Sequence, residues 1–239
     1  MTVPLSPPDL ANAVTSFCTI GAGVTTLLLC RYVGAQSDRW LRAYLCLFIT
    51  GIPTLGWHGW GGEAWRVADI GTNLLLAYVL QLAVLGDYYG ATFRRRFTLG
   101  SGLVNAFGIA WLISEGLRGG ANDAISFGAH GGFQVGEVVL ILDSVAITGL
   151  FVARRDKIPA AAVPLLRIVI ACFLVGLLLA TAAGDVVGGR IGSYHALWHV
   201  LGSFGFLFLW AFNHVRIQEE ERAKTRGKGQ GARAKGQES

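Results

Sequence analysis

The feature that most limits what this chain can become is a set of seven apolar stretches, at 10–31, 40–60, 68–90, 99–117, 131–153, 164–186 and 195–215. Each is close to the roughly 20 apolar residues that a helix needs to cross a bilayer. Inside lipid only helices and closed barrels satisfy every backbone donor and acceptor. Of the 239 residues only 15% are charged, well below the about 25% of an ordinary soluble domain. The expected fold is therefore all-α: a seven-transmembrane helical bundle over 1–217, then a basic, disordered tail over 218–239. No room is left for a separate soluble domain. Residues 1–9 lack the positive n-region of a cleavable signal, so the first stretch is expected to stay as a helix.

Charge sets the expected orientation. When connectors are assigned alternately to two sides, one side collects sixteen of the twenty Lys and Arg residues. These are Arg31, Arg39 and Arg42, then Arg94 to Arg96, then Arg154, Arg155 and Lys157, then seven in the tail. The other side holds only Arg66, Arg118 and Arg190. The positive-inside rule puts the N-terminus outside and the C-terminus in the cytoplasm, with a cell inner membrane as the expected location. The tail reads as a solvated segment touching anionic lipid, not as a nucleic-acid binder. Cys18, Cys30, Cys46 and Cys172 fall inside helices with no C-x-x-C pair, and read as small buried hydrophobes.

Ionisable groups inside a bilayer are costly and mark function. His195 and His199, four apart at the start of the seventh stretch, share a helix face with Cβ atoms about 6 Å apart, close enough to bind one metal ion. In the second stretch Thr54 and His58 share a face in the same way, one residue beyond Pro53, which loosens the helix. Trp57, Trp60 and Trp65 read as an interfacial aromatic belt. Asp69 opens the third stretch, where it could simply cap the helix dipole, yet its depth matches that of His58. With alternating spans, His58, Asp69, His195 and His199 all fall in the outer leaflet. Three histidines with one open position are the composition of a catalytic zinc site, completed by a carboxylate.

The other polar residues in the spans read as follows. Asn73 and Gln81 are interhelical hydrogen-bonding groups. Glu137 could border the same cavity. Asp143 pairs with Arg167 or with a neighbouring hydroxyl. His130, at the end of the long outer loop from Arg118, reads as a solvated loop histidine, and that loop as a flexible lid. His214 belongs to the cytoplasmic interface. The first span carries no chemistry.

The pattern Thr54-x3-His58, Asp69, His195-x3-His199 on helices two, three and seven of seven resembles the CREST superfamily of membrane hydrolases, most closely its alkaline ceramidase branch, through the eleven-residue step from His58 to Asp69. The resemblance implies a Zn2+ held by His58, His195 and His199. It implies that Asp69 positions or deprotonates the zinc water, and that the Thr54 hydroxyl, usually Ser in the family, helps to hold the oxyanion. The implied activity is hydrolysis of a lipid amide or ester, of a ceramide-like or other acylated membrane lipid. The segment Pro7 to Asn12 has too few carboxylates for the calcium site of eukaryotic alkaline ceramidases. A lipid-sensing receptor of the progestin/adiponectin receptor type is the rival reading. A bis-histidine haem suits an i, i+4 pair on one helix poorly. No Lys lies in the seventh span to form a retinal Schiff base, and no internal repeat of the transporter kind is present. The sequence leaves the oligomeric state open.

Overall fold

The structure, a computed structural model, describes residues 7–34, 36–118, 124–126, 132–182 and 194–235. Among these residues lie seven α-helices: α1 (Pro7–Tyr32), α2 (Asp38–Trp60), α3 (Glu63–Tyr88), α4 (Ala91–Leu117), α5 (Val135–Val152), α6 (Val163–Ala182) and α7 (Tyr194–Lys235). Five contain segments long and apolar enough to cross a membrane: Leu10–Tyr32, Glu63–Tyr88, Ala91–Leu117, Val135–Val152 and Tyr194–Arg226. Val163–Leu179 of α6 is a shorter apolar helix. The protein is a multi-pass helical membrane protein.

Two expectations differ from the structure. The loop before α5 carries a short antiparallel hairpin, β1 (Ala124–Ser126) and β2 (Gly132–Gln134), with Ile125 opposite Phe133. α5 therefore starts at Val135 and not at residue 131. The tail is helical through Lys235, where disorder was expected. Nucleation is the costly step of helix formation, and the tail inherits a nucleus from the span before it. Arg216 to Glu220 and Arg222 to Glu219 then add ion pairs at helical spacing. His130, Asp185 and Arg190 lie outside the described residues.

Small residues set the closest helix crossing. A Cβ on Gly23 of α1 would stand 2.6 Å from the Cα of Phe48 in α2, and one on Gly51 of α2 would stand 2.6 Å from Ile20. Without a hydrophobic force between helices in lipid, such backbone approach is what makes helices associate. From there α2 packs on α3, α3 on α4 and α5, and α7 on both α1 and α6. The main core fills the half of the bundle that holds the start of α2 and the end of α3. It is built from Trp40, Tyr44, Leu47, Val84, Leu85, Phe151 and Phe212. Phe17, Leu103, Phe107, Leu178 and Phe204 point outward and are exposed, as expected where the surrounding solvent is lipid.

At the same end as that core, Asp87 joins three helices. Its carboxylate accepts from Arg39 at 2.8 Å, from the Trp40 indole at 2.8 Å and from Arg216 at 2.6 Å. The other end of α2 and α3 holds the functional site. Nineteen residues of α2 separate Arg39 from His58, about 28 Å of helix, close to the about 30 Å of a bilayer's hydrocarbon core.

Candidate metal centre

The site begins with a tight turn. α2 ends at Trp60 and α3 begins at Glu63, leaving only Gly61 and Gly62, whose φ angles are +70° and +93°. Only glycine takes such angles without steric cost. The turn folds α3 straight back along α2, so the last turns of α2 lie beside the first turns of α3. The Thr54 hydroxyl thereby meets the Asp69 carboxylate, Oγ1 to Oδ1, at 2.5 Å. Asn73, one turn deeper, donates Nδ2 to the same Oδ1 at 3.2 Å and to the Asp69 main-chain carbonyl at 3.0 Å. Asn73 is thus a carboxylate partner within its own helix, where an interhelical role was expected.

Helix α7 arrives from the other side. The rings of His195 and His199 lie 4.8 Å apart between centroids, and His58 stands 5.0 Å from His195 and 5.2 Å from His199. One ring nitrogen from each lies within 4.8 Å of the other two. Bonds of about 2.0–2.1 Å to one tetrahedral ion ask for nitrogens about 3.4 Å apart. His58 is 8% exposed, His199 5%, Asp69 8% and Thr54 4%. Three neutral nitrogen donors from two helices, gathered in a dry place, fit a borderline-soft divalent ion such as zinc. Thr54 sits one turn of α2 from His58, so the carboxylate pair and the imidazole cluster are neighbours along one helix face.

Every site residue expected from the sequence is therefore in one region: Thr54, His58 and Asp69 on the α2–α3 hairpin, His195 and His199 at the start of α7. The aromatic expectation also has a counterpart, since Trp60 and Trp65 lie 6.2 Å apart and exposed at this end.

Two further groups stand where the sequence does not put them. Thr15 of α1, the helix expected to carry no chemistry, places Oγ1 3.1 Å from His199 Nδ1. Arg66, expected on an outer connector, is buried at the start of α3 against Glu115 of α4 at 3.6 Å and also bonds Glu63 at 2.8 Å.

Asp143 belongs to a separate network. Asp143 is buried and accepts from Gln81 at 2.7 Å and Asn105 at 3.2 Å, while the Ser101 hydroxyl bonds the Gln81 carbonyl. Arg167 is exposed on α6, so the expected Asp143–Arg167 pair is replaced by amide donors from α3 and α4. Gln81 is interhelical, as expected. Glu137 is exposed near the start of α5. His214 stacks on Trp210 at 4.9 Å, near Gly34 at the far end of the bundle. Cys18 is exposed rather than buried. No known family model matches the chain, and no curated protein is similar to it.

Proposed function

We propose that the chain is a zinc-dependent intramembrane hydrolase of the CREST type that cuts an acyl bond of a membrane lipid, in first instance a ceramide-like amide. The observation that carries this reading is the convergence of His58, His195 and His199 next to a buried carboxylate that already holds a hydroxyl donor. All seven helices are taken to span. The Arg-rich connectors then lie in the cytoplasm and the centre faces the non-cytoplasmic side of the inner membrane.

Bound by the three imidazoles, zinc supplies Lewis-acid polarisation of a carbonyl and a water whose pKa falls to about 7. The residues of the chain do the rest. Asp69 takes a proton from the attacking water as its oxygen bonds to the carbonyl carbon. The carbon–nitrogen bond then breaks, and Asp69 returns that proton to the leaving nitrogen. Thr54 and Asn73 both donate to Oδ1 of Asp69 and so aim the carboxylate. Once Asp69 carries a proton it no longer needs the Thr54 hydrogen, and that hydroxyl is released toward the oxyanion. The acyl chain reaches the site from the bilayer, between helices whose outer faces are apolar.

The test is made on purified protein in lipid nanodiscs. Zinc content and fatty-acid release from amide- and ester-linked lipids are measured for wild type, His199→Ala and Asp69→Asn. Wild type should hold one zinc per chain and turn over. His199→Ala should lose both. Asp69→Asn should keep zinc and lose about 100-fold or more in rate. Full activity in either variant sinks the proposal. Stoichiometric zinc without release from any lipid would favour a lipid-sensing receptor.

A further inference from the structure

A metal-binding imidazole must present one nitrogen with a free lone pair, and α1 determines which nitrogen of His199 that is. We propose that Thr15 is a positioning residue for the metal centre: it holds the ring proton of His199 on Nδ1 and thereby turns Nε2 toward the ion. The proposal rests on the zinc reading above, but its structural half does not.

A threonine hydroxyl has one hydrogen to give. Thr15 Oγ1 lies 2.8 Å from the Ala11 carbonyl and 3.2 Å from that of Asn12. Both carbonyls can only accept, and the nearer, that of Ala11, takes the single hydroxyl hydrogen. The 3.1 Å contact between Oγ1 and His199 Nδ1 is then a bond that the ring donates. A hydroxyl that is itself donating is a better acceptor, because bonds in a chain polarise one another.

The opposite arrangement fails on chemistry. Were Thr15 to donate to Nδ1, the ring proton would sit on Nε2, and His199 would bring an N–H where its neighbours 4.8 and 5.2 Å away bring lone pairs. Ligating histidines commonly donate their second nitrogen to an oxygen in this way. Loss of that partner costs about 10–100-fold in metal affinity.

Metal-free full-length protein with ¹⁵N-labelled histidine reports the tautomer by NMR, with His199→Ala identifying the signal. Wild type should show the Nδ1–H form, Thr15→Val should lose it, and Thr15→Ser should restore it. In zinc competition against a chromogenic chelator, Thr15→Val should bind about 10–100-fold more weakly, and Thr15→Ser should return to the wild-type value. An Nε2–H tautomer in wild type overturns the proposal, as does an unchanged zinc affinity in Thr15→Val. If wild type binds no zinc, the hydrolase reading falls by itself, and the tautomer spectra still decide the role of Thr15. Valine matches threonine in shape, and an unfolding midpoint of Thr15→Val close to that of wild type shows that its weaker zinc binding is not misfolding.

Discussion

At the scale of single residues, the site divides into groups that bind and groups that aim. Thr54 belongs to the second kind, since its hydroxyl contacts Asp69 at 2.5 Å. Thr54→Ser keeps that donor and should keep most activity. Thr54→Val removes it from a buried carboxylate, and the loss of a hydrogen bond to a charged group, about 1.5–3 kcal/mol, should appear as roughly a 10–100-fold fall in kcat with zinc content unchanged. Steady-state rates and metal analysis check both. The histidines and Asp69 were legible in the sequence because an ionisable group stands out in an apolar run and must have a reason to be there. Thr15 was not. Hydroxyls in membrane helices routinely bond the carbonyl four residues back, as Thr26, Thr72 and Ser144 do here. Nothing in the sequence distinguishes the one whose oxygen also faces an imidazole. Asn73 was noticed but misplaced, because an amide one turn from a carboxylate satisfies it within the helix before a neighbouring helix is needed.

At the scale of elements, the α1–α2 crossing through Gly23 and Gly51 is what brings Thr15 to α7. Gly23→Leu would drive a side chain into the Phe48 backbone and part the two helices, at a cost of about 1–3 kcal/mol. Its expected signature is a lower unfolding midpoint together with weaker zinc binding, although Gly23 touches no ligand. The Gln81–Ser101–Asn105–Asp143 network ties α3, α4 and α5 in a similar way. Asp143→Asn retains an oxygen for the two amide donors. Asp143→Leu strands both amides. Thermal unfolding in detergent should therefore show Asn tolerated and Leu destabilised by several kcal/mol, at about 1–3 for each stranded group. Helix positions were readable from the sequence because apolar length marks them. The hairpin before α5 was obscured because the Gly-rich loop looked structureless, and three-residue strands leave too short a pattern to read.

At the scale of the molecule, Asp87 fastens α2, α3 and α7 at the end opposite the metal centre. Arg216 and Asp87 are each less than 10% exposed. Removing Arg216 takes one charge-assisted hydrogen bond from Asp87, worth about 1.5–3 kcal/mol, while Arg39 and Trp40 keep theirs. Arg216→Ala should lower the unfolding midpoint by that equivalent while zinc affinity, set about 26 Å away along α7, changes little. Chemical unfolding and zinc titration on the same preparation separate the two. Topology gives a second check. Single cysteines placed at Arg95 and at Leu117, which is 84% exposed at the other end of α4, in a background without the four native thiols, should be labelled by a membrane-impermeant maleimide from opposite sides of sealed vesicles. The overall bundle was readable because alternating connectors segregate charge. The Asp87 junction was not, since its three partners lie at positions 39, 40 and 216 and only the fold brings them together.

The two-glycine turn between α2 and α3 has a mechanical side. A link that short has no slack, so the carboxylate keeps its place beside Thr54 only through the angular phase of α3, which advances about 100° per residue. One alanine inserted between Arg66 and Val67 would leave all three histidines in the chain, yet swing Asp69, with the rest of α3, a quarter-turn or more away from the hydroxyl. The number of residues from His58 to Asp69 thus acts as a gear setting for the site, and shifting it by one tooth is enough to disengage it.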